Sequence, residues 1–136
     1  MIYIFDSCAL IALFMKENGL DKVKALFDDA LTGQSTIYIH SINLIEVYYK
    51  FLRIFGKDKA DLLLTEIYTH PINIVDTIDA TIFSETSRLK AKYAIPLGDA
   101  IGLATAVKMN GTFVTADYSD FKDIEKAESL SFFWFR

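Results

Sequence analysis

The segment Ile2-Tyr3-Ile4-Phe5-Asp6-Ser7-Cys8-Ala9-Leu10-Ile11-Ala12-Leu13 decides the fold. Its first four residues are β-rich and apolar on both faces, the pattern of a strand covered on both sides in a parallel sheet. Asp6-Ser7 then breaks the run with residues suited to capping a helix at 8–15. Strand, carboxylate and helix follow one another within a dozen residues, and the alternation recurs outward. Asn18 is placed to cap a second helix carrying Leu20, Val23, Leu26, Phe27 and Ala30, which stops near Gly33. Residues 36–39 read as a strand, and Ser41 precedes a helix over 42–55. After Gly56, residues 57–68 are helical, and His70-Pro71 connects to a strand at 72–75, because the residue before proline avoids helix. A long helix is expected at 76–92 and another at 99–109, closed by Asn110-Gly111. A strand at 112–115, a single helical turn at 119–124 and a last strand at 130–135 complete the chain. Short strands alternating with long helices predict a three-layer α/β/α sandwich with a mostly parallel central sheet, built as one domain over 1–136.

Composition narrows the function classes. Of 136 residues, 52% are apolar and 24% charged, with six Gly and two Pro, so a real core forms and disorder is excluded. Acids outnumber bases 18 to 14, which excludes a broadly basic nucleic-acid binder; such binding would need a local patch. The longest unbroken apolar run, at 8–15, falls far short of the ~20 residues of a spanning helix. No Lys or Arg precedes the first apolar stretch and Asp6 interrupts it, so no signal peptide is expected. Cys8 is alone, which suits a reducing cytoplasm. With only His40 and His70 beside it, the material for a structural zinc site is lacking. Cys8 sits in an apolar segment and reads as a small buried thiol rather than a Cys-His nucleophile.

The surroundings of the acids sort them. Asp21, Asp28, Asp29, Asp58, Asp61, Asp79, Asp123, Glu125 and Glu128 lie among polar residues and read as solvated faces. Asp6, Glu46, Asp99 and Asp117 lie in apolar company. A buried, unpaired carboxylate is costly, so each needs a partner, a proton or a metal. Asp6 ends the first strand, Asp117 lies two residues past the fourth, Asp99 begins a helix and Glu46 sits about one turn into one. In an open parallel sheet these places share the edge where ligands bind. Carboxylates gathered there cannot all ionise without a cation, and an all-oxygen set suits Mg²⁺ or Mn²⁺. Singly, each acid has a plainer reading: Asp6 and Asp99 as helix caps, Asp117 as a turn residue, Glu46 paired with Lys50. Together they favour a metal site and leave the substrate open.

Four blocks in order, Ile4-Phe5-Asp6-Ser7, Asn43-Leu44-Ile45-Glu46-Val47, Leu97-Gly98-Asp99-Ala100-Ile101 with Ala104-Thr105-Ala106, and Val114-Thr115-Ala116-Asp117 with Asp120-Phe121, resemble those of the PIN-domain family, most closely the VapC-type toxins of toxin–antitoxin pairs. The resemblance spans essentially the whole chain. It implies an endoribonuclease dependent on Mg²⁺ or Mn²⁺, with Asp6, Glu46, Asp99 and Asp117 matching the family's acidic metal ligands. It also implies that Thr115 orients the site, that Ser7 and Asn43 line it and that Asp120 matches a more variable acid. Metal ions held by carboxylates activate water and offset phosphate charge, so no His or Lys base is required. The expected products carry a 5′-phosphate and a 3′-hydroxyl. A homodimer and a small cognate antitoxin are the implied partners.

RNA approaching an acidic protein needs basic residues near the site. Lys50, Arg53, Lys57 and Lys59 follow the Glu46 helix, and Arg88, Lys90 and Lys92 precede Asp99. Lys50, Arg53 and Arg88 are the candidates for phosphate contact, against a plain solvated helix face; Lys50, one turn from Glu46, is the strongest. The Glu46 helix is apolar on too many sides for a one-sided surface helix, so part of it should meet another chain. Rival functions fare worse. A haloacid-dehalogenase-like phosphatase needs an Asp where Cys8 stands, and a receiver domain needs an acidic pair and a late Lys that are not evident. The remaining alternative is a non-catalytic PIN scaffold that binds RNA or a protein partner.

Overall fold

A computed structural model describes residues 1–136. Five strands, β1 (Ile2–Phe5), β2 (Thr36–His40), β3 (Ile72–Val75), β4 (Thr112–Thr115) and β5 (Ser131–Trp134), form one sheet in the order β3-β2-β1-β4-β5. Every pairing is parallel, with Ile4 opposite Tyr38 on one side and Phe113 on the other. The helices are α1 (Ser7–Met15), α2 (Leu20–Leu31), α3 (Ser41–Phe55), α4 (Lys57–Thr69), α5 (Ala80–Lys92), α6 (Leu97–Met109) and α7 (Tyr118–Ala127).

Period-two side-chain alternation divides the core into two layers. Tyr3, Phe5, Ile37, Ile39 and Val114 join α1 to α4 on one face. Ile4 and Phe113 join α5, α6 and α7 on the other. The sandwich is three-layered and its sheet wholly parallel. Two-sided burial is the reason β1 carries no polar residue.

Several local expectations are corrected. Asn18 does not cap α2. The cap is Gly19, at φ 91°, where a Cβ would lie 2.3 Å from the Phe135 carbonyl oxygen. Close approach of the chain's far end demands glycine there. The helix expected from 76 begins at Ala80, because Asp79 adopts extended backbone and accepts the Ile82 N–H at 2.9 Å. Helix α6 begins at Leu97 after Pro96, so Asp99 is its third residue and not its cap. The single turn expected at 119–124 is a full helix, α7, whose Phe121 and Ile124 are buried. Four of the acids read as solvated have partners supplied by folding. Asp61 accepts from Tyr48 and Lys57, Asp79 pairs with Lys108, Glu125 accepts from Trp134 Nε1, and Glu128 binds Arg88 and Lys92.

Candidate functional site

The carboxyl edge of the sheet assembles the acids. Asp6 leaves β1, caps α1 and is 1% exposed. Its Oδ1 accepts the Ser7 N–H at 2.8 Å and its Oδ2 accepts the Thr115 hydroxyl at 2.8 Å. Thr115, the last residue of β4, also accepts the Asp117 N–H at 3.3 Å, so one hydroxyl ties Asp6 to the Asp117 turn. Asp117 is exposed and makes no side-chain cap to α7. Glu46 projects from α3, where Asn43 Nδ2 donates to its Oε1 at 3.2 Å. Asp99, in the first turn of α6, is 8% exposed and accepts no hydrogen bond.

Glu46, Asp99, Asp117, Asp120, Ser7, Cys8, Tyr49, Lys50, Glu17 and Arg136 share one open cleft of about 430 Å³. Asn43 and Thr115 do not line it: both are fully buried and act on it through the carboxylates they hold. A separate, mostly apolar groove lies between α3 and α4 and differs in chemistry, because Asp76 is its lone carboxylate.

Electrostatics follow from this crowding. Burial pushes the Asp99 carboxyl up to about 8, and the charges of Asp6, Glu46, Asp117 and Asp120 add to it. Burial also raises Asp6 to about 6, against the pull of the Thr115 hydroxyl. Glu46 and Asp117 are raised too, again chiefly by desolvation; Lys50 works against both shifts and Arg136 against that of Asp117. The Cys8 thiol is driven well above its ordinary range by burial and by Asp6, so it is no thiolate nucleophile. Its Sγ stands 3.4 Å from Asp6 Oδ2 and 3.6 Å from Thr115 Oγ1, with no His partner.

Ligand atoms of Asp6, Cys8 and Asp117 already lie within 4.8 Å of one another, while Glu46 and Asp99 stand outside that group. Glu46, Asp99 and Asp117 line the polar cleft, and Asp6, buried and absent from its lining, lies within 4.8 Å of Asp117. Four carboxylates, one of them buried without a donor, fit a hard divalent cation. Such an ion would compensate Asp99, which nothing in the protein does.

Of the basic candidates, Lys50 lines the cleft and Arg53 stacks over Tyr49 at 4.9 Å. Arg88 is held by Glu85 at 2.9 Å and Glu128 at 2.7 Å and lies away from the cleft. Sequence reading missed Glu17 and Arg136. Arg136 reaches the cleft rim by donating to the Asn18 carbonyl at 2.8 Å and pairing with Glu17 at 3.3 Å. No local signal marks a residue at the far end of the chain as a neighbour of Asp117.

The sequence matches the PIN-domain family model over residues 3–127. No curated protein matches the chain by sequence. Among solved structures it resembles VapBC2 from Rickettsia felis, bound to a promoter DNA fragment, at 22% identity over 98% of both chains with a TM-score of 0.75. DNA-bound VapBC from Salmonella typhimurium is 15% identical over 100% of this chain and 99% of that one, with a TM-score of 0.73. VapC20 from Mycobacterium tuberculosis, a toxin that cleaves the sarcin-ricin loop, is 14% identical over 88% and 93%, with a TM-score of 0.65.

Proposed function

The chain belongs to the PIN-domain family, and from that premise we propose that it is a divalent-metal-dependent endoribonuclease and the toxin of a toxin–antitoxin pair. The observation that carries the metal is Asp99, buried, without a hydrogen-bond donor and ringed by like charge. Asp6, Glu46, Asp99 and Asp117 would hold one or two Mg²⁺ or Mn²⁺ ions. Bound there, a divalent cation supplies Lewis acidity toward a phosphodiester and lowers the pKa of water.

The chain's own residues do the rest. Thr115 and the Ser7 N–H keep the Asp6 carboxylate oriented by holding one oxygen each. Lys50 and Arg136, on the cleft rim, are suited to the flanking phosphates of a strand. Support for RNA as substrate comes from the family and from VapC20, which is a sarcin-ricin loop cleaving toxin.

Partners follow from apolar surface. Ile45 and Tyr68 are exposed about the α3–α4 groove, and Ile78, Phe83 and Leu97 form a second exposed patch where α5 meets α6. Two such patches suit a second copy and an antitoxin segment. The VapBC neighbours are themselves toxin–antitoxin complexes, which supports the second of these. No helix is long and apolar enough to cross a membrane, and the lone thiol suits the cytoplasm.

The test is RNA incubated with the protein plus Mg²⁺ or Mn²⁺, with chelator, and with Asp99→Asn. Cleavage that needs the ion, leaves 5′-phosphate and 3′-hydroxyl ends and drops about 100-fold or more in the variant is expected, the scale of losing a principal electrostatic group. A 2′,3′-cyclic phosphate product sinks this chemistry. RNA bound but never cut with either ion establishes the binding-scaffold reading instead.

A further inference from the structure

Gly98 is the second residue of α6, and its φ is not positive, so its backbone does not require glycine. Glycine is also a poor helix former, so another demand must keep it. A Cβ on Gly98 would lie 2.6 Å from Glu46 Oε1, 3.1 Å from its Cδ and 3.4 Å from its Oε2. The whole carboxylate therefore rests against the Gly98 backbone. Behind it stands Asn43, fully buried, whose Nδ2 donates both to Glu46 Oε1 at 3.2 Å and to the Gly98 carbonyl at 3.1 Å. One amide thus ties the carboxylate of α3 to the backbone of α6, at the residue preceding Asp99.

The amide's orientation is fixed by chemistry, since reversing it would set oxygen against two oxygens. Its Oδ1 is buried and accepts nothing. A Cβ on Gly102, one turn along α6, would come within 3.1 Å of that oxygen and 3.0 Å of the Phe113 ring. Two glycines on one face of α6 admit a carboxylate and an amide between helices that otherwise pack closely. An apolar residue at 43 would satisfy packing without leaving an orphaned acceptor, so packing alone does not explain Asn43.

We propose that Gly98 and Asn43, with Gly102 giving room, are positioning residues that hold the Glu46 carboxylate beside Asp99 and so set the cation affinity of the cleft. This rests on the metal reading above and names the residues that pre-form the site.

The experiment measures Mn²⁺ binding to the full chain by titration calorimetry, together with thermal melting in chelator. Gly98→Ala and Asn43→Ala are each expected to weaken Mn²⁺ about tenfold or more, as removal of an outer partner of a metal ligand does. Gly98→Ala should melt in chelator no lower than wild type, because alanine favours the helix. In a Glu46→Gln background the same substitutions should change affinity by less than about twofold, because their only route to the ion has been removed. Wild-type Mn²⁺ affinity in Gly98→Ala overturns the proposal even if Asn43→Ala fails to fold. An undiminished effect in the Glu46→Gln background also overturns it, since that marks general repacking. If wild type binds no Mn²⁺, the metal reading falls and this role with it; if wild type binds and the variants match it, only this role falls.

Discussion

With no donor in reach, Asp99 holds its proton to about 8. A carboxyl whose folded pKa is raised stabilises the fold fully below its unfolded value of 3.8, and that contribution is lost as pH rises toward 8. Asp6, raised to about 6, adds a loss in the lower part of the same window. In chelator, the melting temperature should therefore fall between pH 4 and 8 on account of these groups. Asp99→Asn should flatten the fall and raise the melting temperature at pH 8, while Mn²⁺ should restore the wild type more than the variant. A pH–melting series on both proteins checks this; identical slopes would mean that Asp99 is compensated after all. At this scale the sequence was most informative. Asp6, Glu46, Asp99 and Asp117 stood out by their apolar sequence neighbours, although folding buries only Asp6 and Asp99 and leaves Glu46 half-buried and Asp117 exposed. Arg136, Glu17 and the Gly98 steric gap did not stand out, because each depends on a neighbour distant in sequence.

Helix α3 carries Glu46, and its N-terminus is set by His40 rather than by a side chain with high capping propensity. His40 is 1% exposed; its Nδ1 accepts the Ile42 N–H at 3.1 Å while Nε2 donates to the Thr77 carbonyl at 3.0 Å. The ring must be neutral to accept at Nδ1, and burial lowers its pKa below 6.5, with Thr77 and Asp76 opposing. A base with a lowered folded pKa supports the fold above 6.5, and that support is lost as pH falls through the lowered value. His40→Ala should cost about 1–2 kcal/mol, the scale of a lost cap. His40→Asn should recover part of this and abolish the acid-side loss, read by denaturant melts at pH 5 and 7.5. An unchanged acid limb in His40→Asn would place the titrating group elsewhere. Element order and type were legible from periodicity, but element ends were not. Gly19, Asp79 and Pro96 set boundaries through close approaches and backbone angles that a hydrophobic pattern does not encode.

Over the whole molecule, the net charge of −4 equals the four candidate site acids: without them, 14 acids face 14 bases. An ion in the cleft offsets part of that charge, and Lys50 and Arg136 stand at its rim. Replacing both by Ala should flatten the plot of log RNA affinity against log salt by about 0.7 for each single-strand phosphate that is no longer neutralised. Arg88→Ala should leave the slope unchanged, because its guanidinium is committed to Glu85 and Glu128. Fluorescence titrations at several salt concentrations decide it; an unchanged slope in the double variant removes both residues from the RNA path. The sequence by itself determined a three-layer fold with a mostly parallel sheet and singled out four candidate carboxylates, because strands buried on both faces and acids set in apolar company both leave local compositional marks. Only the tertiary structure decided which basic residue reaches the cleft, which acids are neutralised by distant partners and what holds Glu46 against Gly98. Those outcomes depend on distances between segments far apart in the chain, and no local pattern records them.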